Sequence, residues 1–198
     1  MAYIANTAFE PRIVNNRFDD LCNIAGLYQT TPGNNADCSA GLLCVRGALT
    51  DCEGFPGVKN ENSWIMAAAG ADATIDTPVY ACNTYDTQLL AGKRDGLNYY
   101  VGTETLGLGA PAGRYCTFTH IDFDNRSVYR FGIGNLSAAL GENKFFTIAD
   151  GLLVPAASAP ATAGSIFFWL QGTGNFTEGT TSSFQYVDVM AMRVSVAG

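Results

Sequence analysis

The sequence predicts an all-β fold: a sandwich or barrel of short antiparallel strands with an extended N-terminal arm. Three observations carry this. From residue 97 to residue 194, short apolar runs are separated by glycine-bearing turns. The last run, residues 184–194, has the clearest strand character, and the runs before it follow the same pattern. With 22 glycines and 12% aromatic residues, the composition favours pleated, half-buried surfaces joined by tight turns.

A chain of 198 residues has room for one large β domain or two small ones. At this length about 70% of the unfolded surface can be buried, so a core forms without covalent staples. Hydrophobic residues at 47% against 15% charged residues put the chain on the globular side of the disorder boundary. The simplest organisation is an arm, residues 1–20, followed by one β domain, residues 21–198. The first half is less regular than the second, so any subdivision falls near residue 96.

The arm spaces its apolar residues thinly among Asn and Pro: Tyr3, Ile4, Phe9, Ile13, Val14 and Phe18. No helical or two-residue period runs through it. Isolated anchors on a polar chain suit a tail that docks on a partner surface, and equally one that packs on its own domain. Residues 18–25 have room for one helical turn. Residues 30–40, containing Thr31, Pro32, Gly33 and Asn34, read as a loop. Residues 41–47 read as a strand, with Leu43 and Val45 alternating against Leu42, Cys44 and Arg46. Gly54, Pro56 and Gly57 make residues 51–62 a second loop. Residues 63–69 follow as a strand with Trp64 and Met66 on one face, and residues 77–84 as another. Residues 87–93 read as a short helical turn or a loop, and Asp95-Gly96 as a tight turn.

In the second half, residues 99–105 lead into Gly107, Gly109 and Gly113. This is no phosphate cradle. Pro111 interrupts the glycines, their spacing misses the dinucleotide pattern, and no Lys-Ser/Thr pair follows. Residues 115–123 read as a strand with Tyr115, Thr117, Thr119, Ile121 and Phe123 on one face. Asp124-Asn125 then reads as a hairpin turn into a strand at 128–133. Residues 145–149 and 152–154 flank Asp150-Gly151, a strong hairpin signal. After an Ala/Pro/Ser loop at 155–164, the unbroken apolar run at 165–171 reads as a central strand buried on both faces. Residues 172–182, rich in Gly and Thr, read as a loop before the final strand.

Reactive chemistry is sparse. His120 is the only histidine. It shares a strand face with Cys116, but residues four apart on a strand are about 13 Å apart, too far for direct proton transfer. The six cysteines lack the close pairs of a zinc site. Cys44, Cys82 and Cys116 fall in strands and read as buried reduced thiols. Cys22, Cys38 and Cys52 adjoin Asn or Asp, which places them in loops, where any bridge is expected. Asp122 and Asp124 are too few oxygens for calcium. Asp188, on a face with Tyr186, Met190 and Met192, reads as a partner for a buried Arg, a subunit contact, or an edge charge. Trp64 reads as core. Three Asn-X-Ser/Thr matches at Asn125, Asn135 and Asn175 read as chance, since the start of the chain has no secretory pattern. No apolar run approaches the roughly 18–20 residues of a membrane helix. A formal net charge of -7, with Lys93-Arg94 the only adjacent basic pair, argues against nucleic-acid binding. The expectation is a protein with no catalytic residues, no metal and no cofactor.

Four segments resemble structural proteins of tailed bacteriophages, specifically head decoration (capsid cement) proteins. They are Gly102-Thr-Glu-Thr-Leu-Gly-Leu-Gly, Phe131-Gly-Ile-Gly-Asn-Leu, Phe146-Thr-Ile-Ala-Asp-Gly-Leu-Leu-Val-Pro and Gly174-Asn-Phe-Thr-Glu-Gly-Thr. The resemblance covers part of residues 99–194 and does not extend to the first half. It implies a β-rich virion protein, made in the host cytoplasm, that binds the major capsid protein on the capsid exterior. It also implies a homo-oligomer, with a trimer favoured, and an N-terminal arm that adds to the shell. The alternatives are a binding module of a fibre or surface protein, for carbohydrate or receptor, another head or tail component, or a hydrolase with an unrecognised carboxylate pair.

Overall fold

The computed structural model describes residues 7–13, 23–52, 55–74, 76–83, 108–110, 112–178 and 182–195. Among these the regular structure is almost entirely β, with one 3-10 turn at Ile133–Asn135 and no α-helix. Five strands make a closed barrel: β2 (Asn23–Thr31), β5 (Leu43–Cys52), β6 (Phe55–Ala68), β7 (Val79–Cys82) and β9 (Tyr115–His120). The ring runs β2-β6-β5-β7-β9, and β9 pairs back onto β2 to close it. Every pair in the ring is antiparallel except β2 with β6. Short strands β3 (Asn34–Asn35) and β4 (Cys38–Ser39) lie outside the ring, β3 against β2 and β4 against β8 (Leu108–Ala110).

The second body is an open antiparallel sheet. Its order is β1 (Phe9–Ile13), β10 (Val128–Gly132), β14 (Ser182–Arg193), β13 (Ile166–Glu178), β11 (Phe145–Ala149) and β12 (Leu152–Ala156). The all-β expectation holds, and sandwich and barrel occur together: the open sheet stacks on the barrel wall. The chain crosses residue 96 in both directions, since β1 joins the open sheet and β9 closes the barrel.

Two cores result. Inside the barrel lie Tyr28, Leu42, Met66, Tyr80, Phe118 and four cysteines. Gly26 points into this space, where an added Cβ would come within 2.8 Å of the Phe118 ring and closer still to Met66. Between barrel and sheet lie Leu43, Val79, Ala81, Ile121 and Phe123 from the barrel side, facing Tyr129, Phe131, Phe146, Phe168 and Val187. β7 serves both. Val79 and Ala81 face the sheet, Tyr80 and Cys82 face the barrel interior, and all four are buried. A strand covered on both faces reads as an unbroken apolar run, which is how Val-Tyr-Ala-Cys reads.

The Asp150-Gly151 turn is a hairpin turn as expected, with φ of 50° and 75° at its two residues, the signature of type I′. It also docks on the barrel. The Leu43 N–H donates to the Gly151 carbonyl at 2.8 Å, and the Gly151 N–H donates to that of Ala69 at 2.9 Å. A side chain at Gly151 would strike the Leu43 carbonyl at 2.8 Å.

Several expectations need correction. The 51–62 loop is instead a β5–β6 hairpin, paired down to Cys52 opposite Phe55. The 172–182 loop is the far part of the β13–β14 hairpin, paired from Gly172 opposite Asp188 to Glu178 opposite Ser182. Past Gly174 on β13 and ahead of Ser63 on β6 the ribbons extend beyond their sheets, held by main-chain pairing between their own two strands. The 30–40 segment holds β3 and β4 around a Pro32-Gly33 turn, with Gly33 at φ 81°. Asp124-Asn125 does lie in a turn, but β9 and β10 do not pair; the turn carries the chain from barrel to sheet. The central strand is buried on both faces only at Ile166–Phe168, and Trp169 is 42% exposed on the outer face. Residues 87–93, Asp95-Gly96 and 99–105 lie outside the described residues.

Phe9 is 6% exposed and packs on Tyr129 and Phe131 at ring separations of 5.9 and 5.3 Å. Phe9→Ala is expected to lower stability by about 3–5 kcal/mol, read by urea unfolding.

Candidate functional site

On the outer face of the open sheet, β1, β10 and β14 bring together Glu10, Arg130, Asp188 and Tyr186. Arg130 lies opposite Asp188 in the ladder. Its Nε donates to Asp188 Oδ1 at 2.8 Å and its Nη2 to Oδ2 at 2.9 Å, a two-point fork. The guanidinium carbon sits 3.6 Å from the centre of the Tyr186 ring, and Glu10 approaches Nη1 at 3.8 Å. The bonds to Asp188 raise the Arg130 pKa further. Asp188 therefore takes the first role its sequence position allowed, partner of a largely covered Arg. The group is a charge clamp across three strands. Every member already has a partner, so it offers no acid or base poised for proton transfer.

The arm residues separate on the structure. Phe9 belongs to the core, and Ile13 pairs along the backbone with Val128. Tyr3, Ile4, Val14 and Phe18 lie outside the described residues. The described part of the arm is thus strand β1 at the edge of the sheet.

His120 follows the expected alternation. It ends the barrel-facing row of β9 and meets Tyr80 edge-on at a ring separation of 5.4 Å. Burial lowers its pKa from 6.5, against the opposing pull of Asp122 and Asp124. Asp122 is turned to local work: its carboxylate accepts from the Asp124 and Asn125 N–H groups at 2.9 and 3.2 Å. Asp124 pairs with Arg193 at 2.8 Å. Trp64 is half-buried against the barrel core and carries the Arg46 guanidinium 4.4 Å above its ring.

The cysteines depart most from expectation. Cys38 is not in a loop; it is fully buried in β4 and joins Cys44, Cys82 and Cys116 inside the barrel. The period-two positions of the last three on their strands did point there. None of the five described cysteines is in a disulfide; Cys52 is half-buried at the end of β5, and Cys22 lies outside the described residues. Burial pushes the thiols of Cys38, Cys44 and Cys82 upward, and the Cys82 contact, then burial, does the same for Cys116. Nucleophilic cysteines need the opposite environment. Among the described residues no group of three His, Cys, Asp or Glu side chains is arranged to hold a metal ion, and no helix is long and apolar enough to cross a membrane.

The β5–β6 and β13–β14 ribbons project past the strands that flank them, and a cleft of about 500 Å³ lies between the β13–β14 strands and residues 139–141. No protein-family model matches this chain, and no curated protein or solved structure matches it either.

Two outcomes follow for this region. Asp188→Ala leaves Arg130 without its fork and is expected to cost about 2 kcal/mol, with Asp188→Asn losing less, as measured by urea midpoints. For His120 the folded pKa lies below the unfolded one, so the unfolded chain binds the extra proton. Stability is then full above about pH 6.5 and declines as pH falls from there through the lower folded value; His120→Gln is expected to flatten that part of a denaturation-midpoint profile.

Proposed function

We propose that this chain is a non-enzymatic structural protein that works by contact, and that it decorates or stabilises the exterior of a tailed-phage head. The observation that carries the contact role is the pair of projecting ribbons on a body with two packed cores. Past Gly174 on β13 and ahead of Ser63 on β6, toward the hairpin ends, no described strand flanks either ribbon. Such edges present main-chain donors and acceptors to which a partner strand can add. Val58, 55% exposed on the β5–β6 ribbon, supplies an apolar contact there.

The choice of a capsid as partner rests on the sequence resemblance. Supporting it, a net charge of -7 suits a surface that never meets packaged nucleic acid. Repeated weak contacts over a lattice reach high avidity without a deep interface. On this proposal the partner is the major capsid protein, the protein is a homo-oligomer with a trimer favoured, and its place is the virion exterior after synthesis in the host cytoplasm. A second proposal, a glycan-binding module of a fibre or surface protein, draws on Trp169 and Tyr115, 42% and 43% exposed; binding on a glycan array that Trp169→Ala abolishes would favour it over the first.

Co-sedimentation of the full chain with purified heads of the phage that encodes it tests the leading proposal. The intact protein is expected to bind to saturation, and Val58→Asp to weaken binding by about tenfold without altering the fold. Failure of the intact protein to bind heads overturns the capsid role; unchanged binding by Val58→Asp removes the β5–β6 ribbon from the interface.

A further inference from the structure

We propose that Cys82 and Cys116 form a redox modification site, an oxidisable pair that closes to a disulfide across the β7–β9 seam of the barrel. The two Sγ atoms are already 3.5 Å apart. Both thiols point at one acceptor, the Asn83 carbonyl, at 3.6 and 3.8 Å. They are diagonal neighbours, since Cys82 lies opposite Phe118 and Cys116 is two residues further along β9. Diagonal pairs sit near the limit at which a disulfide can bridge, about 7 Å between Cα atoms. β7 ends at Cys82, so on that side the remaining closure to about 2.05 Å between sulfurs falls on a strand end, while Cys116 keeps its place in the ladder opposite Gly26.

The pairing is selective. Cys38 and Cys44 share the barrel interior but are fully enclosed, whereas Cys116 retains 8% exposure and is, of the four barrel thiols, the one an oxidant reaches first. A small oxidant such as hydrogen peroxide suffices. The Cys116 thiol gives its proton to water, and its sulfur attacks one peroxide oxygen; the O–O bond breaks, and hydroxide leaves. The resulting sulfenic acid is attacked by the Cys82 sulfur; the S–O bond breaks, the S–S bond forms, and the second oxygen leaves as water with the Cys82 proton. Two thiols and one peroxide give one disulfide and two waters.

The linked residues are 34 apart in sequence, so the bond shortens a long loop of the unfolded chain and stabilises the fold chiefly through that state. It also fixes the β7–β9 pairing, one of the pairings on which closure of the barrel depends. The inference is independent of the partner: it stands or falls on the barrel interior alone.

The test uses the full chain, purified reduced, exposed to hydrogen peroxide and digested without reductant. The expected product is one cross-linked peptide pair joining Cys82 to Cys116, lighter by two hydrogens, with a thermal midpoint raised by roughly 5–15 °C and restored by reductant. Cys116→Ala is expected to lose both changes, and Cys52→Ser to keep both. A link through Cys38 or Cys44 instead, over-oxidation of Cys116 without a link, absence of any mass change, or a retained zinc ion that blocks oxidation would each overturn the proposal. The peptide map of the unmutated chain decides the matter even where Cys116→Ala fails to fold.

Discussion

The four residues of β7 hold this molecule together. Val79 and Ala81 belong to the core shared with the open sheet, Tyr80 and Cys82 to the interior of the barrel. A strand with no solvent face cannot shift by one residue without exchanging the two sets, and each set fits only its own side. Its neighbour β5 repeats the arrangement, with Leu43 facing the sheet and Cys44 the barrel. Barrel and sheet therefore share a wall, and neither completes its core without the other. The Gly151 turn fastens that wall from the sheet side through two main-chain hydrogen bonds.

Smaller contacts depend on the same wall. Asn135, 1% exposed, donates from Nδ2 to the Ala40 carbonyl at 2.8 Å and accepts from the Ala8 N–H at 3.1 Å, joining the entry to β1, the entry to β5 and the 3-10 turn after β10. Phe9, Phe131, Phe168 and Phe123 form a row of tilted or edge-on rings at centroid separations of 5.2 to 6.0 Å. Edge-to-face geometry of this kind adds to the gain from burial alone. The outcome is a rigid support with its polar chemistry spent internally. The Arg130–Asp188 fork, the Asp122 turn and the barrel thiols all have partners within the described residues.

The sequence was legible wherever local chemistry and burial agreed. Asp150-Gly151 announced its turn because only residues tolerant of positive φ fit there. The β9 alternation and the inward row of Tyr129 and Phe131 were legible because each strand has one face on a core. The ribbons were not legible. Gly172, Thr173 and Gly174 on one, and Gly54, Pro56 and Gly57 on the other, carry loop composition, yet main-chain pairing makes most of both segments strand. Main-chain pairing asks for no apolar period, so none marks these segments as strand. Cys38 was misplaced for a related reason: its Asp and Ser neighbours signal a loop, while the pairing of β4 with β8, from the far half of the chain, covers it.

Composition and turn chemistry alone determined that the described part of this chain is β and that its second half is cut into hairpin-sized strands. Those properties are local, written in propensities and in the period of each run. Only the tertiary structure decided that the strands divide into a closed barrel and an open sheet, that Phe9 belongs to the core, and that four cysteines scattered from residue 38 to residue 116 meet in one interior. Strand partners are chosen by which faces can be buried together across long separations in sequence, and no local signal carries that choice.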